Sequence, residues 1–314
     1  MLTVSDGAKK ALIIGSTAAF PKPWRVAVRE SWLARLELET ARNANLIIIA
    51  HPKSGNTWLK VMLTRLYQVR HGLPDADFAK YSKLAVRHPA IPRFAATNAC
   101  YSYEAAVGKA LTANAPDSDL RQKPVVFIAR NPCDIAVSWY FQFTKRQSAH
   151  KQELINHFID HPIDRNAISI WDFVRHSDIG LPFLIDYLNT WEKNLVALER
   201  SLLIRYEDLR VDAASILRQI TALMGDEFSD EESQAAVDFA SFENLRKLET
   251  SGFFRQGGLT LRDPQDPESF KVRRGKINGY RDYFNAKQVA DLEQLLTGRL
   301  SPALGYGAVR ANHE

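Results

Sequence analysis

The feature that most constrains the fold is a run of aliphatic residues that leads through a short loop into a helical pattern. Residues 46–49, a leucine followed by three isoleucines, predict a strand buried on both faces. Pro52 and Gly55 interrupt that strand, and residues 57–70 place apolar side chains at helical spacing. This order leaves backbone N–H groups and the positive end of the helix dipole at the loop, so we expect the loop to bind a phosphate.

The position of the lysine in this loop differs from its position in the P-loop of nucleoside triphosphatases. Nucleoside triphosphatases of the P-loop class place a lysine directly before a serine or threonine and after a second glycine. Here Lys53 precedes Gly55, at the point where the strand ends. By itself the loop is also compatible with an ordinary turn whose residues cap a helix. The other parts of a nucleotide site must therefore come from the rest of the chain.

Further strand-like runs alternate with helical patterns along the chain. The strand-like runs lie at residues 93–97, 124–129 and 202–206, and clear helical patterns lie at residues 24–42 and 285–300. Strands separated by helices predict right-handed βαβ units, hence an α/β fold with a central parallel sheet flanked by helices. Ligands of such sheets bind beyond the carboxyl ends of the strands. We therefore expect the chemistry to converge from residues 51–57, 98–102, 130–134 and 206–210.

Four segments, in order, resemble the sulfotransferases that use 3′-phosphoadenosine 5′-phosphosulfate (PAPS) as sulfuryl donor. Residues 52–58 are similar to that family's P-loop-like 5′-phosphosulfate loop, with Asn56 in place of the usual threonine. Residues 127–140 resemble the 3′-phosphate segment of the family, and residues 206–208 resemble its Tyr-Glu-Asp motif. Residues 273–280 resemble its C-terminal Arg-Lys-Gly segment.

The resemblance implies where the donor binds. Arg130 and Ser138 stand on the two phosphate-binding positions of the 3′-phosphate segment, and Tyr206 stands where a tyrosine reaches the adenine. Trp58 and Phe242 stand where aromatic residues contact the base. The nucleotide-binding residues implied in this way are Lys53, Ser54, Gly55, Asn56, Thr57, Trp58, Arg130, Ser138, Tyr206, Phe242, Arg273, Arg274 and Gly275.

The resemblance also implies a reaction, the transfer of a sulfuryl group from PAPS to a hydroxyl without a metal. Lys53 is then expected to stabilise the leaving phosphate and the charge that develops on it. The family's usual base is a histidine at the end of the second strand, but this chain has Asn98 there. An amide cannot accept a proton near neutral pH, although it can orient a hydroxyl. His88, which we prefer, and Glu104 are the nearest substitutes for the base.

Two other functions stay open on sequence grounds. A kinase or nucleoside triphosphatase requires an acidic Mg²⁺ ligand at the end of a neighbouring strand, where this chain has Arg130. A non-catalytic protein that binds PAPS, or the product nucleotide 3′-phosphoadenosine 5′-phosphate (PAP), would account for Asn98. Turnover of labelled PAPS with a panel of alcohols separates such a binding protein from an enzyme.

Charge and composition narrow the partners. The net charge of +5 suits an anionic ligand, but the basic residues form no long run and no nucleic-acid motif is present. Two cysteines make no disulfide framework. No apolar run approaches the roughly 18 residues of a membrane span, and no signal peptide is recognisable, so the cytoplasm is the expected location. No pattern in the sequence indicates an oligomeric state.

We expect residues 1–314 to form a single sulfotransferase domain. Residues 1–23 have little regular pattern and are interpreted as an N-terminal extension. Residues 251–274, rich in glycine and proline, are interpreted as a lid loop. The irregular stretches 71–92, 145–182 and 251–270 are expected to form the pocket of a small acceptor, and their aromatic residues favour a lipid or carbohydrate alcohol.

Overall fold

Four parallel strands form the centre of the fold, as the sequence predicts. The computed structural model describes residues 6–306, apart from 113, 116, 117, 256, 257, 262, 264, 266–269, 273 and 274. The strands pair in the order β2-β1-β3-β4. They are β1 (Leu46–Ile49), β2 (Phe94–Thr97), β3 (Val125–Ala129) and β4 (Ser201–Arg205). All pairs are parallel, so the four carboxyl ends meet at one edge of the sheet.

Helices flank the sheet on both sides. In the described part of the chain they are α1 (Asp6–Ser16), α2 (Lys22–Arg42), α3 (Asn56–Arg70), α4 (Asp75–Phe78), α5 (Leu84–Arg87), α6 (Ala105–Leu111), α7 (Pro132–Phe141), α8 (Ala149–Phe158), α9 (Ile170–Arg175), α10 (Leu181–Val196), α11 (Tyr206–Val211), α12 (Ala213–Met224), α13 (Asp230–Phe239), α14 (Phe242–Thr250) and α15 (Ala286–Arg299). A π-helical turn at Gln142–Arg146 follows α7. None of the described helices is long and apolar enough to cross a membrane.

The two faces of the sheet pack against different helices, which explains why its central strands are almost continuously apolar. Ile47 and Ile49 belong to an apolar cluster that includes residues of α7, α10 and α15. Ile48 belongs to a second cluster that includes residues of α3, α12 and α13. Every residue of β1 is fully buried. Burial on both faces fixes where β1 ends and where the following loop emerges.

Part of the N-terminal extension is helical, since residues 6–16 form α1 although their sequence has little regular pattern. This helix packs on α2, where the buried Arg29 donates hydrogen bonds to Thr17 Oγ1 at 2.8 Å and to the carbonyl of Ile14 at 2.9 Å. Arg29 thus adds hydrogen bonds to carbonyl and hydroxyl groups at the end of α1. A contact between two elements stabilises α1, so the local pattern does not reveal it.

Candidate functional site

The loop after β1 turns sharply at the carboxyl edge of the sheet. Lys53 and Gly55 both have positive φ, at 79° and 107°. A Cβ on Gly55 would lie 2.8 Å from Cδ2 of Tyr206, so a glycine is required there. Helix α3 begins at Asn56 with no side-chain cap, so its first N–H groups have no partner within the helix. These groups and the helix dipole offer the phosphate site that the sequence predicts.

A cavity of about 390 Å³ lies beside this loop. Of the predicted site residues, those that line it are Lys53, Gly55, Asn56, Thr57, Trp58, Asn98, Arg130, Ser138, Tyr206, Phe242 and Gly275. Ser54 is not among the lining residues, because its side chain is fully buried. Within the described residues its hydroxyl has no hydrogen-bond partner. Arg273 and Arg274, the other two predicted phosphate ligands, lie outside the described residues.

The guanidinium of Arg130 connects the phosphate loop to Tyr206. Its Nη1 donates a 2.8 Å hydrogen bond to the carbonyl of Lys53, and its Cζ lies 4.3 Å from the centre of the Tyr206 ring. Its Nε is buried and has no hydrogen-bond partner in the described part of the chain. A buried donor without a partner is costly, so an oxygen atom of a ligand at this point would be stabilised.

Asp134, which has no role in the predicted site, attaches the C-terminal segment to the start of α7. Its carboxylate accepts hydrogen bonds from the backbone N–H groups of Asn278 at 2.8 Å and Tyr280 at 3.0 Å. Burial raises the pKa of Asp134, although Arg130 acts in the opposite direction. The attached segment passes close to Phe242, because a Cβ on Gly275 would lie 3.2 Å from Cδ2 of that ring.

Aromatic side chains form another part of the cavity wall. The indole Nε1 of Trp58 donates a 2.8 Å hydrogen bond to the carbonyl of Ala240, two residues before Phe242. The Trp58 ring also meets the Tyr206 ring edge-on, with 5.9 Å between their centres. These contacts fix Trp58 relative to the start of α14. Aromatic surfaces next to a phosphate loop suit a nucleobase.

Asn98 belongs to a hydrogen-bonded cluster in the same cavity. Its side-chain amide donates a 2.6 Å hydrogen bond to Oε2 of Glu104, and Lys151 donates a 2.9 Å hydrogen bond to Oε1 of the same carboxylate. The backbone carbonyl of Asn98 accepts a 2.9 Å hydrogen bond from the hydroxyl of Tyr187. Asn98, Glu104 and Lys151 all line the cavity. The cluster therefore holds an amide, a carboxylate and an ammonium group where an acceptor can reach them.

The charges of this cluster shift the pKa values of two glutamates in opposite directions. Burial by itself would raise the pKa of Glu104, but Lys151 and Lys10 outweigh it and hold that pKa below its usual range. Burial, together with the charge of Glu104, raises the pKa of Glu37 to about 7. The structure therefore favours Glu104 as the ionised carboxylate of the pair.

His88, the substitute base preferred from the sequence, does not line the cavity. Its Nε2 lies 3.4 Å from a carboxylate oxygen of Asp77, in the stretch between α3 and β2. Glu104, the second substitute, directly contacts Asn98. The geometry thus favours Glu104 over His88 as the base.

Sequence reasoning missed several polar residues of the cavity wall, among them Gln142, Gln147, Lys151 and Lys271. Two of them lie in the stretch 145–182, which the sequence assigns to the acceptor pocket without naming a polar residue. Their neighbourhood in the sequence carries no motif, so only the three-dimensional arrangement reveals them. In the described residues no group of three or more His, Cys, Asp or Glu side chains is placed to hold a metal ion.

Comparison with known proteins gives a family match. The family model for the sulfotransferase domain matches residues 43–301. Cytosolic sulfotransferase 14 of Arabidopsis thaliana is 26% identical over 277 residues, which cover 82% of this chain and 75% of the relative. The amine sulfotransferase of Oryctolagus cuniculus is 22% identical over 278 residues, which cover 84% and 83% of the two chains.

Solved structures confirm the fold. The crystal structure of retinol dehydratase in complex with retinol and PAP superposes with a TM-score of 0.52, covering 84% of this chain and 86% of that one. The sequences are 17% identical, so this similarity concerns the fold alone. It agrees with the predicted α/β architecture, in which a parallel sheet carries a P-loop-like phosphate loop.

Proposed function

This chain belongs to the sulfotransferase family, and we propose that it transfers the sulfuryl group of PAPS to a hydroxyl of a small acceptor molecule. The observation that carries the proposal is that the phosphate loop, Arg130 and Asn98 line one cavity. In this arrangement the loop and Arg130 hold the phosphates of the donor. Asn98, at the position of the family's base, then meets the acceptor.

The loop residues have different roles in the proposed reaction. In the transfer, the bond between sulfur and the bridging phosphate oxygen breaks, and a bond from the acceptor oxygen to sulfur forms. Lys53 stabilises the negative charge that develops on the departing oxygen, an interaction that strengthens as the bond breaks. The amides of the loop and Arg130 contact phosphate groups that PAPS and PAP share. They therefore contribute mainly to nucleotide affinity.

We assign Glu104 as the base that removes the proton of the acceptor hydroxyl. Asn98 is then the group that orients this hydroxyl. Each carboxylate oxygen of Glu104 already accepts one hydrogen bond, from Asn98 or from Lys151, and each retains a lone pair for a further proton. The hydroxyl proton would move to Glu104 as the acceptor oxygen bonds to sulfur. His88 takes no part in this scheme, because its contacts lie away from the cavity.

A second candidate function is nucleotide binding without catalysis. Two observations favour it: Asn98 replaces the usual histidine, and the lowered pKa of Glu104 makes that carboxylate a weak base. A turnover assay with sulfur-labelled PAPS and a panel of alcohols, phenols and amines decides between the two functions. We expect acceptor-dependent release of PAP, and a Lys53→Ala variant serves as the control for uncatalysed transfer. Tight PAP binding with no acceptor-dependent release would identify a binding protein.

The domain organisation and the acceptor class are part of the same proposal. Residues 1–314 act as one sulfotransferase domain, and residues 251–274 act as a lid. Support for the lid comes from Gly258, where a Cβ would lie 3.1 Å from Oγ1 of Thr57, and from Leu259, which lines the cavity. The name of the amine sulfotransferase supports a small-molecule acceptor. The name of the Arabidopsis relative supports a location in the cytosol.

A further inference from the structure

Lys271 lines the cavity, and no ion pair within 4 Å joins its ammonium group to a carboxylate of the described residues. Glu249 holds the backbone of this segment. Its carboxylate is fully buried and accepts hydrogen bonds from the backbone N–H groups of Lys271 at 2.7 Å and Val272 at 2.9 Å. Each oxygen of Glu249 thus accepts one backbone hydrogen bond, and its negative charge also attracts the Lys271 side chain. Burial, and then the charges of Arg146 and Lys151, lower the pKa of Lys271 to about 8.

The neighbouring charges do not neutralise Lys271. Lys151 forms an ion pair with Glu104 at 2.9 Å, so these two charges cancel. Arg146 and Lys151 both repel Lys271 and lower its pKa, and each of these effects exceeds the opposite effect of Glu249. A partly buried cation is costly unless an anion accompanies it. An anionic ligand beside Lys271 would offset this repulsion.

Two amide side chains in the same cavity also lack partners. Gln147 is only 8% exposed, and its Nε2 has no hydrogen-bond partner among the described residues. Oε1 of Gln142 is likewise buried without a partner in that part of the chain. The backbone holds the pair together, because the N–H of Gln147 donates a 2.8 Å hydrogen bond to the carbonyl of Gln142. Buried polar atoms of this kind require a partner. The Nε2 of Gln147 can donate to an anionic ligand, whereas Oε1 of Gln142 requires a donor.

We propose that Lys271 and Gln147 form a carboxylate subsite, so that the acceptor carries a carboxylate in addition to the hydroxyl that receives the sulfuryl group. The ammonium group of Lys271 and the Nε2 of Gln147 are both donors, and together they match the two oxygens of one carboxylate. The inference rests on the proposed function, because it places the reactive hydroxyl at Asn98. The nucleotide phosphates are assigned to the loop and to Arg130, so they do not compete for Lys271.

Calorimetry on the PAP-saturated protein tests the subsite without requiring turnover. Three hydroxy acids with different skeletons serve as probes, namely para-hydroxyphenylacetate, omega-hydroxydodecanoate and cholate, each compared with its neutral primary amide. For the best-fitting skeleton we expect the acid to bind at least about 10-fold more tightly than its amide, since a charge-assisted hydrogen bond is lost in the amide. In Lys271→Gln this preference should fall to about 3-fold or less, while affinity for the amide stays unchanged.

Lys247→Gln is the matched control, because Lys247 is an exposed lysine on α14 that does not line the cavity. It should keep the full preference for the acid. The proposal is overturned if the amides bind as tightly as the acids, if Lys271→Gln keeps the preference, or if no acid binds. Affinity for PAP, measured first, separates this failure from failure of the proposed function. A protein that binds PAP and sulfates only neutral acceptors would contradict the subsite alone.

Discussion

The side-chain amide of Asn98 donates a 2.6 Å hydrogen bond to the carboxylate of Glu104. Asn98, the residue directly after β2, is therefore oriented by a carboxylate that also lines the cavity. Where the family's histidine would accept the acceptor proton itself, this chain holds an amide and a carboxylate side by side. The pair can divide the work, because the amide orients the hydroxyl and the carboxylate takes the proton.

Replacement of Glu104 by glutamine tests the base directly. We expect Glu104→Gln to lower kcat by about 10²–10⁴, because the neutral amide cannot accept the hydroxyl proton. His88→Ala should change kcat little, since His88 lies outside the cavity. Steady-state rates with the true acceptor, together with PAP affinity as a check of folding, give the comparison. A fully active Glu104→Gln enzyme, or a strongly impaired His88→Ala enzyme, would reverse the assignment.

Replacement of Arg130 by alanine tests the nucleotide site. The change removes a guanidinium whose buried Nε we assign to a phosphate oxygen, so PAP binding should weaken by roughly 2–4 kcal/mol. Titration calorimetry measures the dissociation constant. Arg35→Ala is a suitable control, because Arg35 is exposed on α2 and does not line the cavity. An unchanged dissociation constant in Arg130→Ala would mean that Arg130 is a structural link between the loop and Tyr206.

Replacement of Lys53 by alanine separates catalysis from binding. In this variant the loop amides and Arg130 still bind the nucleotide in the ground state. The negative charge that develops on the departing oxygen, however, loses the lysine that stabilises it. We therefore expect a fall in kcat that exceeds the loss of PAP affinity by about 10-fold or more. Single-turnover rates and calorimetric dissociation constants measure the two effects. Losses of equal size would place Lys53 among the ordinary phosphate ligands.

The raised pKa of Glu37 predicts a pH dependence of stability. Burial and the charge of Glu104 raise this pKa to about 7 in the folded protein, whereas a glutamate in an unfolded chain has a pKa of about 4.3. Between these values the folded state holds a proton that the unfolded state lacks, so stability falls as the pH rises. Lys10 and Lys151, which also face Glu37, limit the effect by favouring its charged form.

Glu37→Gln removes this titration. From about pH 5 to about pH 8 the variant should lose less free energy of unfolding than the unchanged protein, by about 1–2 kcal/mol. Urea unfolding at the two pH values measures the difference. Glu39→Gln, an exposed carboxylate on the same helix, should leave the pH dependence unchanged. Equal pH dependence in all three proteins would show that Glu37 is not protonated in the folded state.

The elements that the sequence predicts well are those with local causes. The aliphatic run of β1, the glycine at residue 55 and the apolar period of α3 follow from strand burial, positive φ and helix geometry. The meeting of the four loops follows from the rules of parallel sheets. Most of the predicted nucleotide residues accordingly line one cavity.

The residues that the sequence does not predict act through contacts between distant segments. Asp134 binds the N–H of Asn278, 144 residues away, and Glu249 binds that of Val272, 23 residues away. An aspartate near a helix start and a glutamate near a helix end look like ordinary surface charges in the sequence. His88 illustrates the reverse case. It is close to Asn98 in the sequence, but in the structure it lies beside Asp77 and does not line the cavity.

Helix α14 joins the two substrates of the proposed reaction. Phe242, its first residue, lines the cavity, and Glu249, near its last, holds the backbone of Lys271. A nucleobase that orders the start of this short helix therefore also orders the attachment of the carboxylate subsite. Donor and acceptor affinities are then linked reciprocally, so each ligand strengthens the binding of the other by the same factor. Such coupling would give the nucleotide-free protein a low affinity for the acceptor and the nucleotide-bound protein a higher one.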